Sequence, residues 1–255
     1  MSSEAGFFGR HDNPFLFVPN LIGYARVLFM IYGFSVANSS PERFVAAYAL
    51  AFVCDDLDGR FARLLDQCSA LGAVLDMVTD RVGTACLLVL LGARRACLLL
   101  PAMSLVALDI CSHWFQMYAT LSAGATTHKD TSKASSLLVR LYYRYRLFMG
   151  YCCVSCEVLY LALYLLQWDA FLAPGPIAAA TATPVVRALF ALVGVELREG
   201  PLPVVALLAA AAVPGFVVKQ FANVKQLQSA AGMLVAAERK QQYSANGHAK
   251  AAKQM

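Results

Sequence analysis

The chain reads as apolar runs separated by short polar joints. Six runs are long enough to cross a bilayer, at about 20 residues each, and they cover 19–38, 44–65, 70–93, 96–121, 147–167 and 201–222. Between the fifth and sixth, the region 168–200 holds a further apolar piece, TPVVRALFALVGV, broken from its surroundings by Pro174, Pro176 and Pro184. That piece is too short to cross, and it is expected at the membrane interface or as an extension of the last helix. The pattern predicts an all-α integral membrane protein with six transmembrane helices. A short N-terminal segment (1–18) precedes the helical domain (19–222), and a basic tail (223–255) follows it. The opening residues, MSSEAGFFGRHDNPFLF, are mixed in polarity and lead straight into the first run, so the spans themselves are expected to direct insertion.

Composition agrees with the pattern. Hydrophobic residues make up 59% of the chain and charged ones only 15%, and the mean hydropathy is +0.58, so lipid is the solvent for most of it. Six spans put both termini on one side. That side gathers fifteen of the Lys and Arg residues against five on the other, with Arg81 inside a span, which predicts cytoplasmic termini. The net charge of +5 sits mostly in those loops and the tail. It suits an anionic lipid surface and needs no nucleic acid to explain it. None of the eight cysteines has the spacing of a zinc site or a disulfide framework, so they read as small packing residues.

Against this apolar background one stretch stands out, CDDLDGRFARLLDQCSALGAVLDMVTDR at 54–81, which holds six of the sixteen acidic residues. On a helix Asp55 and Asp58 fall about 60° apart and share a face, and so do Asp76 and Asp80, with Gly72 one turn earlier. The polar joint LLDQCSA lets the two helices run antiparallel, so the four carboxylates converge. Four anions that close must protonate or hold cations. Hard oxygen ligands without matching Cys or His favour Mg²⁺ or Mn²⁺, and a carboxylate-bridged pair of such ions polarises phosphoryl oxygens. Gly59 and Gly72 lack side chains and admit a ligand close to the backbone. Ala62 keeps a turn clear, and Arg63 offers a planar fork to phosphate. Asp56 and Asp66 read as solvated residues.

These residues resemble a known family. Asp55, Asp58, Gly59, Ala62, Arg63, Gly72, Asp76 and Asp80 reproduce the signature D-x2-D-G-x2-A-R-x8-G-x3-D-x3-D of the CDP-alcohol phosphotransferases. The resemblance covers roughly 15–170. It implies a six-helix membrane fold, a homodimer, and transfer of a phosphatidyl or phosphoalcohol group from a CDP-linked donor to an alcohol with release of CMP. By the family's pattern Asp55, Asp58, Asp76 and Asp80 hold two divalent ions, and Asp80 also takes the acceptor's proton. Gly59, Ala62, Arg63 and Gly72 then line the donor pocket, with Asn20 and Arg26 of the first span in support.

The segments PNLIGYARVLF (19–29), LDICSHW (108–114), THK (127–129) and VRLYYRYR (139–146) are similar to those of the eukaryotic members that join CDP-diacylglycerol to myo-inositol. That likeness implies the endoplasmic reticulum, extending to Golgi, with the active site facing the cytoplasm. The acceptor pocket is open to two readings. His113, paired with Asp109 four residues before it, either contacts inositol or holds helices together. His128, Lys129, Arg140 and Arg144 either bind inositol or lipid phosphate, or form a solvated face that sets topology. The signature alone also serves glycerol phosphate, serine or choline as acceptor. A divalent cation transporter is the alternative from another class. It is disfavoured because no inverted repeat of the aspartates occurs and because Arg63 beside them would repel a passing cation.

Overall fold

The computed structural model describes residues 13–122, 144–175, 183–197 and 200–252, and every regular element among them is helical. The chain divides into two compact units, Met1–Leu90 and Leu91–Met255.

In the first unit a single 3₁₀ turn, Pro14–Leu16, capped by the Asn13 side chain, leads into α1, Val18–Val36. Pro19 sits in the first turn of α1, where its missing N–H is no loss. A tight turn at Ala37–Ser40 then starts α2, Pro41–Leu64, again with proline at its first position. The two helices pack closely. Phe34 of α1 meets Phe44 and Tyr48 of α2 with ring centroids 5.4 and 6.2 Å apart. Each such aromatic pair contributes about 0.5–1.5 kcal/mol beyond the area it buries. Gly33 brings the backbones together there, since a methyl group at that position would lie 3.2 Å from the Ala47 Cβ.

A five-residue joint, 65–69, follows α2, with Asp66 in the left-handed region (φ 54°), and α3 runs from Ala70 to Arg94. Ser69 begins α3 by accepting the Gly72 amide at 3.0 Å, the bond expected of a helix N-cap. Small residues again set the helix approach. An added methyl at Gly23 of α1 would lie 2.8 Å from Leu75 of α3, and one at Gly83 of α3 would lie 2.7 Å from Met30 of α1.

The second unit contains α4 (Ala96–Ser122), α5 (Arg146–Leu165), α6 (Pro184–Leu192) and α7 (Val204–Ala252). Both α4 and α5 pack on α7. Leu159, Ala162, Leu166, Val195, Leu197, Leu202, Ala206, Ala209 and Ala212 form its core. The alanines of α7 recur every three residues, so α5 can lie close along that stripe. Among the described residues the proline-broken region contributes a 3₁₀ turn, Asp169–Phe171, and a short helix, α6, whose N-cap Thr183 accepts the Val186 amide. At 49 residues α7 is about 74 Å long, more than twice what a bilayer needs.

Three helices are long and apolar enough to cross a membrane: Ala96–Ser122, Arg146–Leu165 and the part of α7 over Val204–Arg239. The other three long helices have 19, 24 and 25 residues, enough for a crossing. α1 carries Asn20 and Arg26, and α2 and α3 are less apolar because they carry the Asp55–Arg63 cluster and Asp76, Asp80 and Arg81.

Candidate active site

The charged residues of α1, α2 and α3 meet inside the first unit. Asp55, Asp76 and Asp80 each bring one carboxylate oxygen to within 4.8 Å of the others, a grouping that could hold a metal ion. Asp55 comes from α2, while Asp76 and Asp80 lie one turn apart on the facing side of α3, as their spacing predicts. Asp58, half-buried one turn along α2 from Asp55, interacts electrostatically with Asp76, Arg26 and Asp80. The helical geometry therefore brings all four motif aspartates into one region.

Arg26 reaches into this group from α1. Its Nη1 lies 2.5 Å from Asp55 Oδ1 and 3.4 Å from Asp76 Oδ1, and its Nη2 pairs with Asp80 Oδ1. The second oxygen of Asp80 faces Arg81 Nη2 at 3.3 Å. The Arg26 side chain is 5% exposed, whereas those of Asp55, Asp76 and Asp80 are 28%, 50% and 35% exposed. The cation forms the floor and the carboxylates open outward. A guanidinium settled among three carboxylates marks a place where positive charge is stable, and hard oxygen donors suit a divalent ion, so the residues fit the metal that the signature implies.

The rest of the motif has local roles that the sequence did not reveal. Gly59 lies one turn before Arg63, and a methyl group there would sit 3.5 Å from Arg63 Nη1. The exposed Arg63 guanidinium folds back over α2 there, and a methyl at Gly59 would make only an ordinary contact with it. Ala62 is half-buried, and its carbonyl accepts the Gln67 amide at 2.9 Å, closing the end of α2. Gly72 is hemmed in by Asn20, whose Oδ1 would lie 2.7 Å from a methyl at that position.

Asn20 is 1% exposed, and its amide nitrogen donates to the Pro14 carbonyl at 2.6 Å and to Ser69 Oγ at 3.4 Å. Gln67 completes this seam by accepting the Val18 amide at 2.9 Å. Gln67 and Ser69 were not anticipated as important, although both lie in the polar joint between two motif helices, where a buried side chain must find partners. Together they lock the start of α1 to the turn between α2 and α3.

In the second unit, His113 Nδ1 lies 2.8 Å from the Asp109 carbonyl oxygen and 3.6 Å from its carboxylate, beside the buried Ser112. Arg144 is exposed, with its guanidinium over the Tyr145 ring. His128, Lys129 and Arg140 lie outside the described residues. Asp56 pairs with Arg60 at the surface at 2.8 Å, in keeping with a solvated residue.

Comparison with known proteins points the same way. The family model of the CDP-alcohol phosphatidyltransferases matches residues 16–236. An Arabidopsis thaliana protein named probable CDP-diacylglycerol–inositol 3-phosphatidyltransferase 2 is 46% identical over 223 residues, 87% of this chain and 90% of its own length. The Arabidopsis CDP-diacylglycerol–inositol 3-phosphatidyltransferase 1 is 53% identical over 153 residues, 60% of this chain and 66% of its own. The Schizosaccharomyces pombe CDP-diacylglycerol–inositol 3-phosphatidyltransferase is 35% identical over 226 residues, 89% and 92% of the two chains. No solved structure matches the chain significantly. With the complete aspartate signature gathered on two facing helices and the family model spanning nearly the whole sequence, the chain belongs to the CDP-alcohol phosphatidyltransferase family.

Proposed function

We propose that this protein makes phosphatidylinositol, transferring the phosphatidyl group of CDP-diacylglycerol to myo-inositol and releasing CMP. One observation carries the reading: Asp55, Asp76 and Asp80 converge, with Asp58 beside them, in a chain that aligns over most of its length with CDP-diacylglycerol–inositol 3-phosphatidyltransferases.

In this reading the four aspartates hold two divalent ions, Mg²⁺ or Mn²⁺. Bound there, such ions neutralise charge on the pyrophosphate and on the departing CMP. The chain's own residues do the rest. Arg63 presents its fork to the donor's phosphates. Asp80 takes the proton of the attacking inositol hydroxyl. A carboxylate is a weak base toward an alcohol, so positioning and charge stabilisation must supply most of the acceleration. Asn20, Gln67 and Ser69 keep the three helices in register, because a shift of about 1 Å in such a site costs on the order of a hundredfold in rate. Inositol is neutral and rich in hydroxyls, and it is selected by paired donors and acceptors. His113, His128, Lys129, Arg140 and Arg144 are the candidates for that pocket.

Six spans with both termini in the cytoplasm complete the proposal. α1, α2 and α3 are spans in this reading, with their site charges turned away from lipid. The layout is an N-terminal segment (1–18), a helical domain (19–222) and a basic tail (223–255) at an anionic membrane face. The enzyme works as a homodimer in the endoplasmic reticulum, extending to Golgi, with its site open to the cytoplasm. The direct test supplies purified protein with CDP-diacylglycerol, Mn²⁺ or Mg²⁺ and myo-inositol. CMP and phosphatidylinositol should appear in equal amounts, and CMP release that ignores the omission of inositol would overturn the assignment.

A further inference from the structure

We propose that Arg26 is the resident counter-ion of the aspartate cluster: it holds Asp55, Asp76 and Asp80 together when no divalent cation is present, and it competes with that cation for them. The inference rests on the reading of these aspartates as a divalent-cation site.

Three observations carry it. First, the guanidinium lies within the group, with Nη1 shared between Asp55 of α2 and Asp76 of α3, and Nη2 on Asp80. One side chain from α1 thereby ties three helices. Second, its ion pairs stay within the cluster. Among the described residues its ion pairs all go to these three aspartates, and its Nε is buried with no hydrogen-bond partner. A buried guanidinium is costly unless paired, so this arginine is placed for the carboxylates and for no other acceptor. Third, it lies beneath them, 5% exposed, while the carboxylates are 28–50% exposed. A cation can therefore arrive from the open side without passing it.

Charge decides the consequence. With Asp58 beside them, four carboxylates and one guanidinium leave three negative charges for divalent ions to neutralise. Without Arg26 a fourth charge stays uncompensated. The cluster would then bind a divalent ion more tightly and would depend on that ion to stay together. With Arg26 the apo site is stable and the ion is held loosely enough to exchange.

The test uses the full chain in lipid nanodiscs with Mn²⁺ as the probe. Free Mn²⁺ is read by electron paramagnetic resonance, and thermal unfolding is followed with Mn²⁺ and with chelator. Arg26→Met should bind Mn²⁺ at least about tenfold more tightly than wild type, the scale of removing one close positive charge. Its unfolding temperature should rise with Mn²⁺ much more than wild type's does. Arg26→Lys keeps the charge but cannot bridge, and should fall between the two. Should Arg26→Met fold in neither condition, Arg26→Lys carries the test alone. Variants that bind Mn²⁺ no more tightly than wild type, with wild-type sensitivity to chelator, overturn the role of Arg26. Wild type that binds no Mn²⁺ at all would instead remove the cation-site reading itself.

Discussion

Asn20 fills the space that a side chain at Gly72 would need, its Oδ1 standing 2.7 Å from where the methyl carbon would lie. Ser69 Oγ stands 3.1 Å from the same point. Neither can swing aside freely, because Asn20 donates to Pro14 and Ser69 caps α3. Gly72→Ala should therefore destabilise the protein by about 1–3 kcal/mol, the usual cost of overpacking. CMP release should fall because α1, which carries Arg26, is pushed from its seat. Asn20→Ala in the same chain should restore part of the lost packing. Thermal unfolding of the single and double variants checks this. A Gly72→Ala protein with wild-type stability and weakened donor use would assign the glycine to the ligand instead.

The two acidic residues outside the cluster should behave differently from each other. Asp56 makes only an exposed pair with Arg60, so Asp56→Ala should change stability by less than about 1 kcal/mol. Asp66 holds φ 54°, a conformation that aspartate tolerates better than alanine does. Asp66→Ala should cost about 1 kcal/mol, and Asp66→Gly should not. Neither substitution should alter CMP release per folded molecule. A large loss of turnover in either variant would bring that residue into the site.

Much of this was legible in the sequence because the site is built on local periodicity. Asp76 and Asp80 are four apart, Asp55 and Asp58 three apart, and helical geometry alone puts each pair on one face. The polar joint at 66–69 marks the reversal that makes the faces meet. The boundaries of α1 to α5 also followed from the apolar runs to within a few residues, whereas α7 continues to Ala252, about thirty residues past the end of its apolar run at 222. The resemblance puts Arg26 in support of the donor site, but its ion pairs with the aspartates are not legible, because nothing along the sequence tells which way a lone arginine on another helix will point. Asn20 is legible only as donor support, and its seam with Gln67 and Ser69 is not, for the same reason: the seam joins residues 49 apart. Among the described residues three helices are apolar enough to cross a membrane, and the six runs read from the sequence include three more that carry the site's charges.

Removing any one of the four clustered aspartates should cost far more than either peripheral one. Asp55→Asn, Asp58→Asn, Asp76→Asn and Asp80→Asn preserve shape while deleting charge. Each should lower turnover by at least about two orders of magnitude, the scale of a lost transition-state interaction. Excess chelator should abolish CMP release, and Mn²⁺ or Mg²⁺ should restore it. Full activity in chelator would dispose of the metal requirement.

Arg63 sits at the exposed end of α2, with its guanidinium folded back over Gly59. If that planar fork grips the donor's phosphates, Arg63→Lys should raise the KM for CDP-diacylglycerol although charge is retained. The KM for inositol should stay near wild type. A raised inositol KM with normal donor kinetics would move Arg63 to the acceptor pocket.

Acceptor choice separates this protein from relatives that share its signature but use another alcohol. A pocket built to pair several hydroxyls rejects a molecule lacking them strongly, because its buried donors and acceptors are left unsatisfied, whereas an apolar pocket discriminates weakly. Serine, choline and glycerol 3-phosphate should therefore each support CMP release at less than about a hundredth of the rate with myo-inositol at equal concentration. His113→Ala tests one candidate for that pocket. Its ring is held against Asp109 within α4, so a purely structural role would lower stability without changing kinetics per folded enzyme. A role in acceptor binding would raise the inositol KM and leave the donor KM alone, and that is the outcome expected. Measuring both constants beside the unfolding temperature distinguishes the two. Efficient product from glycerol 3-phosphate with none from inositol would leave the family membership standing and remove the substrate assignment.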